Sequence, residues 1–123
     1  PQRVGGNFNC DRNQLTSLEG SPREVGESFY CGYNQLTSLE GAPQEVGEDF
    51  DCNNNPVSEK TLRRIFSRMK KGKSYIQAVE SLWSKIPLED QALLYRPEFE
   101  WVEPEERRKL EAIQAYQGFK GMI

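Results

Sequence analysis

At 123 residues, with a hydrophobic fraction of 36% and a mean hydropathy of −0.79, the chain is sized for one small domain or one composite of two lobes sharing a lean core. It has no apolar run of about 18 residues, which excludes a membrane-spanning helix, and no charged-then-apolar leader marks the visible chain for secretion. The net charge of −3 is unevenly divided: residues 1–55 hold 9 acidic and 3 basic side chains, residues 56–123 hold 10 acidic and 13 basic.

In chain order, the first feature is a repeat. Asn13-Gln14-Leu15-Thr16-Ser17-Leu18-Glu19-Gly20 returns as Asn34-Gln35-Leu36-Thr37-Ser38-Leu39-Glu40-Gly41, and residues 1–21 and 22–42 agree at 13 of 21 positions. A third copy begins at Pro43 and keeps Val46, Gly47, Phe50, Cys52 and Asn55 before it breaks at Pro56. A fixed period between about 20 and 50 residues marks a stack of units, each too small to bury its own apolar side. The chain opens on Pro1, the first position of a repeat, which leads us to expect further residues upstream.

Each unit reads Phe-x-Cys-x-x-Asn-x-Leu-x-x-Leu. The period-2 pair Phe-x-Cys predicts a short strand with both side chains inward. The Asn falls where the chain must turn, so its amide can satisfy backbone groups that the turn would leave unpaired. Leu15 and Leu18 fill the interior, with Val4, Val25 and Val46 from the return side; Gly5, Gly26 and Gly47 are expected to supply a backbone conformation that other residues resist.

These columns resemble the leucine-rich repeat, whose core L-x-L-x-x-N/C-x-L corresponds here to F-x-C-x-x-N-x-L. The resemblance covers residues 1 to about 57, and its units are similar to those of short leucine-rich proteins encoded by bacteria and bacteriophages that carry a C-terminal helical cap. It implies a short solenoid of about three coils with one small parallel sheet (residues 1–56), followed by a small helical lobe of about four helices (residues 57–123), an α+β chain. It also implies ligand binding on the concave face, where the candidates are Asn9, Asp11, Tyr30, Tyr33, Asp49 and Asp51.

Cys10, Cys31 and Cys52 share one column. An odd count argues for buried thiols in a reducing compartment over a disulfide framework. With no His and no C-x-x-C pair, no metal site is expected. The strand edge near Phe8 carries no visible N-terminal cap and is a candidate for pairing with a second copy.

Beyond Pro56, Ser58 reads as a helix cap, and Leu62, Ile65, Phe66 and Met69 form one apolar stripe suited to covering the last repeat unit. Lys60, Arg63, Arg64, Arg68, Lys70, Lys71 and Lys73 cover the rest of this stretch, which Gly72 ends. Ser74 opens a second helix with Tyr75, Ile76, Val79, Leu82, Trp83 and Ile86 on its apolar face. A third is expected over Leu88–Tyr95, then an extended Phe99–Val102 segment. A fourth helix runs from Pro104 to near Gly118 with Leu110, Ile113 and Tyr116 on its face, and Phe119–Ile123 reads as a tail.

Catalytic signals are missing. Gly72-Lys73-Ser74 echoes the end of a phosphate-binding loop, but Ser67 stands where the first glycine is required. No Gly-x-Ser-x-Gly elbow occurs. The expected function is therefore non-enzymatic and cofactor-free: a cytoplasmic protein–protein interaction module, phage-encoded if the resemblance holds, with a host or defence protein as its partner. The alternative is nucleic-acid or ribonucleoprotein binding by the basic helix, through Lys60, Arg63, Arg64, Arg68, Lys71 and Lys73.

Overall fold

The computed structural model describes residues 2–121, with side chains through residue 118. Each 21-residue unit contributes one short strand to each of two parallel three-stranded sheets. The first contains β1 (Arg3–Val4), β3 (Glu24–Val25) and β5 (Glu45–Val46); the second contains β2 (Phe8–Asn9), β4 (Phe29–Tyr30) and β6 (Phe50–Asp51). The repeat offset is also the hydrogen-bonding register, pairing Val4 with Val25 and Val46 in turn, and Phe8 with Phe29 and Phe50.

The repeat pattern predicts one sheet; the structure has two. The valine positions form strands of their own because Val25 and Val46 are buried while Glu24 and Glu45 beside them stay exposed, an alternation that suits a half-buried strand.

The glycines after those valines serve a different purpose from the one expected. Neither Gly26 nor Gly47 has a positive φ. They allow close approach: a Cβ on Gly26 would lie 2.2 Å from the Gly5 carbonyl oxygen, and one on Gly47 would lie 2.0 Å from that of Gly26. The left-handed backbone falls instead on Arg12 (φ 60°), Tyr33 (53°) and Asn54 (56°), each one residue before the repeated Asn.

That Asn satisfies the turn it occupies. The Asn34 amide nitrogen donates to the carbonyls of Cys10, Cys31 and Gly32 at 3.0–3.1 Å, while its Oδ1 accepts from the amides of Asn13 and Leu15 at 3.1 Å. Asn55 repeats the pattern one unit on, donating to Cys31 and Cys52 and accepting from Leu36 N–H. Backbone groups from two successive units are thus paired by one side chain.

Inside the stack the phenylalanines form a column, Phe8 on Phe29 at 5.3 Å and Phe29 on Phe50 at 5.6 Å. Helix α1 (Glu59–Lys70) ends the column: Phe66 stacks on Phe50 at 3.9 Å with the rings 8° from parallel, and Leu62 and Ile65 are fully buried beside it. Ser58 caps α1, its Oγ accepting from Thr61 N–H at 3.4 Å.

The remaining helices are α2 (Tyr75–Leu82), α3 (Leu88–Leu94) and α4 (Pro104–Gly121). Four expectations change here. Helix α2 ends at Leu82 and passes into a 3-10 turn, Trp83–Lys85; Ala78 takes the core position and Ile76 is 38% exposed. Phe99–Val102 is a run of turns, with Phe99 N–H on the Arg96 carbonyl and Val102 N–H on that of Phe99. Helix α4 runs on to Gly121 where a tail is expected from Phe119, and Met122 and Ile123 lie outside the described residues. Tyr116 is 64% exposed and is not part of the α4 core face, which holds Leu110.

The helices pack around an aromatic cluster. Trp83 meets Phe99 and Trp101 edge-on at 5.8 and 5.7 Å, and Phe99 stacks on Trp101 at 4.6 Å. Polar ties join this lobe to its surroundings. The buried Asp90 carboxylate accepts from the Ser58 hydroxyl and the Thr61 hydroxyl at 2.6 Å and from Ser58 N–H at 3.1 Å, fastening α3 to the start of α1. Arg96 donates to the carbonyls of Leu93 and Tyr95, closing the end of α3, and to Thr37 Oγ1 in the second repeat unit at 3.1 Å. The fold is α+β, and no helix among the described residues is long and apolar enough to cross a membrane.

Candidate functional site

The two candidate surfaces use their charges differently. On the β2–β4–β6 strands and the turns that follow, polar side chains serve the backbone. Asp11 Oδ1 accepts from Gly32 N–H at 2.7 Å, Asp51 Oδ1 from Asn53 N–H at 3.2 Å, and Asn9 Oδ1 from Asp11 N–H at 2.9 Å. Asn7 Oδ1 accepts from Ser28 N–H, and Ser28 Oγ in turn accepts from Asp49 N–H. Asp11 and Asp51, two of the binding candidates on this face, are half-buried, and one oxygen of each carboxylate is held by a backbone amide.

Asn9 and Asp49 remain exposed, and Tyr30 is half-buried. Tyr33 is 45% exposed, with the Arg12 guanidinium 4.3 Å from its ring centre. The left-handed backbone at both residues brings these two side chains together across successive units.

The basic stretch lies on α1 and just beyond it. Its apolar stripe packs against the last repeat unit, so the cations face out: Lys60, Arg63, Arg64, Lys70, Lys71 and Lys73 are exposed and Arg68 is half-buried. Arg63 is neutralised locally, its Nε lying 2.9 Å from Glu59 Oε1, and that hydrogen bond pushes the guanidinium further up from its ordinary value. Lys70 sits 5.9 Å over the Phe66 ring. Among the described residues, Lys60, Arg64, Arg68, Lys70, Lys71 and Lys73 take part in no ion pair.

One further cation belongs to this surface and lies outside the basic helix. Lys85, in the 3-10 turn after α2, joins Arg64 and Arg68 around an open groove of about 290 Å³ whose remaining walls are Ser67 and Leu82. Only the packing of α2 against α1 brings residues 64 and 85 to one place; no local pattern in the sequence connects them.

The thiols are set back from chemistry. Burial pushes Cys10 up to about 11 and Cys52 to about 12, and burial with neighbouring thiols raises Cys31 further. All three are free cysteines. Both tryptophans belong to the lobe core: Trp83 is buried with its Nε1 on Glu106 Oε1 at 2.7 Å, and Trp101 is half-buried in the same cluster. At the other end of the stack, Phe8, Cys10 and Leu15 are half-buried where their counterparts Phe29, Cys31 and Leu36 are fully covered.

No protein-family model, curated protein or solved structure matches the chain.

Proposed function

We propose that the chain is a non-enzymatic protein-interaction module: a short leucine-rich-repeat solenoid, closed by a helical cap, that binds an acidic protein partner through the outward face of α1. The observation that carries this reading is the unequal use of charge. Asp11 and Asp51 on the repeat face are each engaged with a backbone amide, whereas six cations on and after α1 lack an ionic partner among the described residues. Like charges crowded on one helix face repel, and an acidic partner relieves that repulsion while steering its own approach.

The raised thiols support a non-catalytic role, since the thiolate is the reactive form and burial disfavours it here. The resemblance to bacterial and phage leucine-rich proteins favours a partner among host proteins, those of defence included, met in the host cytoplasm. Nucleic acid is the competing ligand. The net charge of −3 and the acids in the same lobe disfavour a polyanion that must track over a long surface.

The test is a capture experiment with purified chain and the Lys60→Glu/Lys71→Glu/Lys73→Glu variant. A partner of acidic character held by the native chain and released by the variant supports the reading. Retention of DNA or RNA in a gel shift at about 150 mM salt, with no protein partner captured, would overturn it.

A further inference from the structure

The groove between α1 and the 3-10 turn is more specific than a basic face. Arg64 and Arg68 stand one helical turn apart, so both guanidinium groups reach the same side. Lys85 approaches from the other wall, and Leu82, only 4% exposed, forms the floor. Two hydroxyls complete the lining and its rim: Ser67 on α1, and Ser81, whose Oγ lies 3.4 Å from Arg68 Nη1. Among the described residues, no carboxylate lines the groove. An adjoining recess adds Thr61 and Ile86 to the same Arg64–Leu82–Lys85 wall.

Three cations around an apolar floor make a site whose attraction for an anion is screened less than that of isolated surface charges. The charge of the occupant follows from the count. A single carboxylate leaves two cations unmatched. A phosphate monoester carries about −1.5 to −2 at neutral pH and offers three strong acceptor oxygens. Those oxygens match two arginine forks, a lysine and a serine hydroxyl.

We propose that this groove is a phosphoryl-binding subsite, and that the acidic partner docks with a phosphorylated serine or threonine seated between Arg64, Arg68 and Lys85. This deepens the interaction reading above and rests on it. A phosphorylated protein segment is favoured over a nucleic-acid strand because Arg64, Arg68 and Lys85 converge on one groove of limited volume, while Glu59 elsewhere on the same helix already pairs with Arg63. Binding then responds to phosphorylation of the partner, and the rest of α1 contributes charge without selecting the phosphate.

The subsite is tested with the full chain in two steps. Inorganic phosphate is titrated against uniformly labelled protein, at ionic strength held constant with chloride. Shifts are expected at the Arg64 and Arg68 side-chain resonances and at the Ser67 and Ser81 amides, and their absence in Lys85→Gln. Then an acidic peptide is compared with the same peptide carrying one phosphoserine. The phosphopeptide is expected to bind about tenfold or more tightly, equivalent to about 1.4 kcal/mol, and Lys85→Gln or Ser67→Ala is expected to remove that advantage, read within each variant as the ratio of the two peptides' affinities.

Equal binding of the two peptides, or phosphate shifts that survive Lys85→Gln, overturns the subsite. If the unphosphorylated acidic peptide still binds and the Lys60/Lys71/Lys73 reversal abolishes it, the interaction reading stands without the subsite. If neither peptide binds and an oligonucleotide does, both readings fall. All of these side chains except Arg68 are exposed, so the variants are expected to fold; far-ultraviolet circular dichroism confirms it.

Discussion

Phe66 and Phe50 lie ring on ring at 3.9 Å, closer than the 5.3 and 5.6 Å that separate phenylalanines in successive repeat units. A helix side chain thus continues a column built by the repeat, and it does so from a residue outside the repeat's own period. The relationship explains how three thin units with a lean hydrophobic content hold a core: the last one is covered by α1, and Phe50 is only 5% exposed as a result.

Truncating Phe66→Ala is expected to destabilise the chain by about 3–5 kcal/mol, the usual cost of removing a buried aromatic side chain. Phe8→Ala, at the half-covered end of the same column, is expected to cost less than half as much. Urea denaturation of both variants checks the order. Equal losses would show that α1 does not close the stack.

Asn34→Ala removes three donor contacts and two acceptor contacts at once. The amides of Asn13 and Leu15 lose their partner, and the carbonyls of Cys31 and Gly32 keep only Asn55 Nδ2 and Arg12 N–H, so a loss of about 3 kcal/mol is expected, against about 1 kcal/mol for the exposed Asn13→Ala. Hydrogen exchange gives a local readout: the Leu15 amide should lose protection in Asn34→Ala.

Gly47→Ala places a methyl group 2.0 Å from the Gly26 carbonyl oxygen. The backbones of the second and third units must separate, at about 1–3 kcal/mol. At Gly5 the same substitution meets nothing within 4 Å and is expected to be neutral or slightly stabilising through the unfolded chain. Melting temperatures of the two variants should move in different directions or by clearly different amounts.

Thiol titration gives a pH dependence with a definite sign. Cys10 is pushed up to about 11 and Cys52 to about 12, whereas an unfolded thiol titrates near about 8.5. Above that value the unfolded chain loses thiol protons that the folded chain keeps, so stability is fully present below about pH 8.5 and declines as pH rises through 11. Denaturant midpoints between pH 8 and 10.5 check the decline. Replacing Cys10 and Cys52 with Ala should make it shallower, leaving the part due to Cys31. Thiol labelling at neutral pH is expected to be slow at all three sites, with Cys10 first because it is the half-buried one.

Much of this protein is written in its period. The spacing of 21 residues by itself aligns Phe8 with Phe29 and Phe50, because parallel strands that stack identical units must pair at the offset of the repeat. The turn role of Asn34 and the cap at Ser58 are legible for a related reason: each answers a local backbone demand that a single residue can meet. So is the apolar stripe from Leu62 to Met69, which local periodicity defines; Leu62, Ile65 and Phe66 are buried and Met69 is half-buried against the core. Tertiary structure decided the rest. It turned the valine positions into a second sheet, and made Gly26 and Gly47 points of close backbone approach where a conformation other residues resist was expected. It drew Asp11 and Asp51 into the backbone network, and brought Lys85 to Arg64 and Arg68 across the interface of two helices. Close approach and convergence depend on residues far apart in the chain, and composition and spacing carry no record of such distances until the units stack and the helices pack.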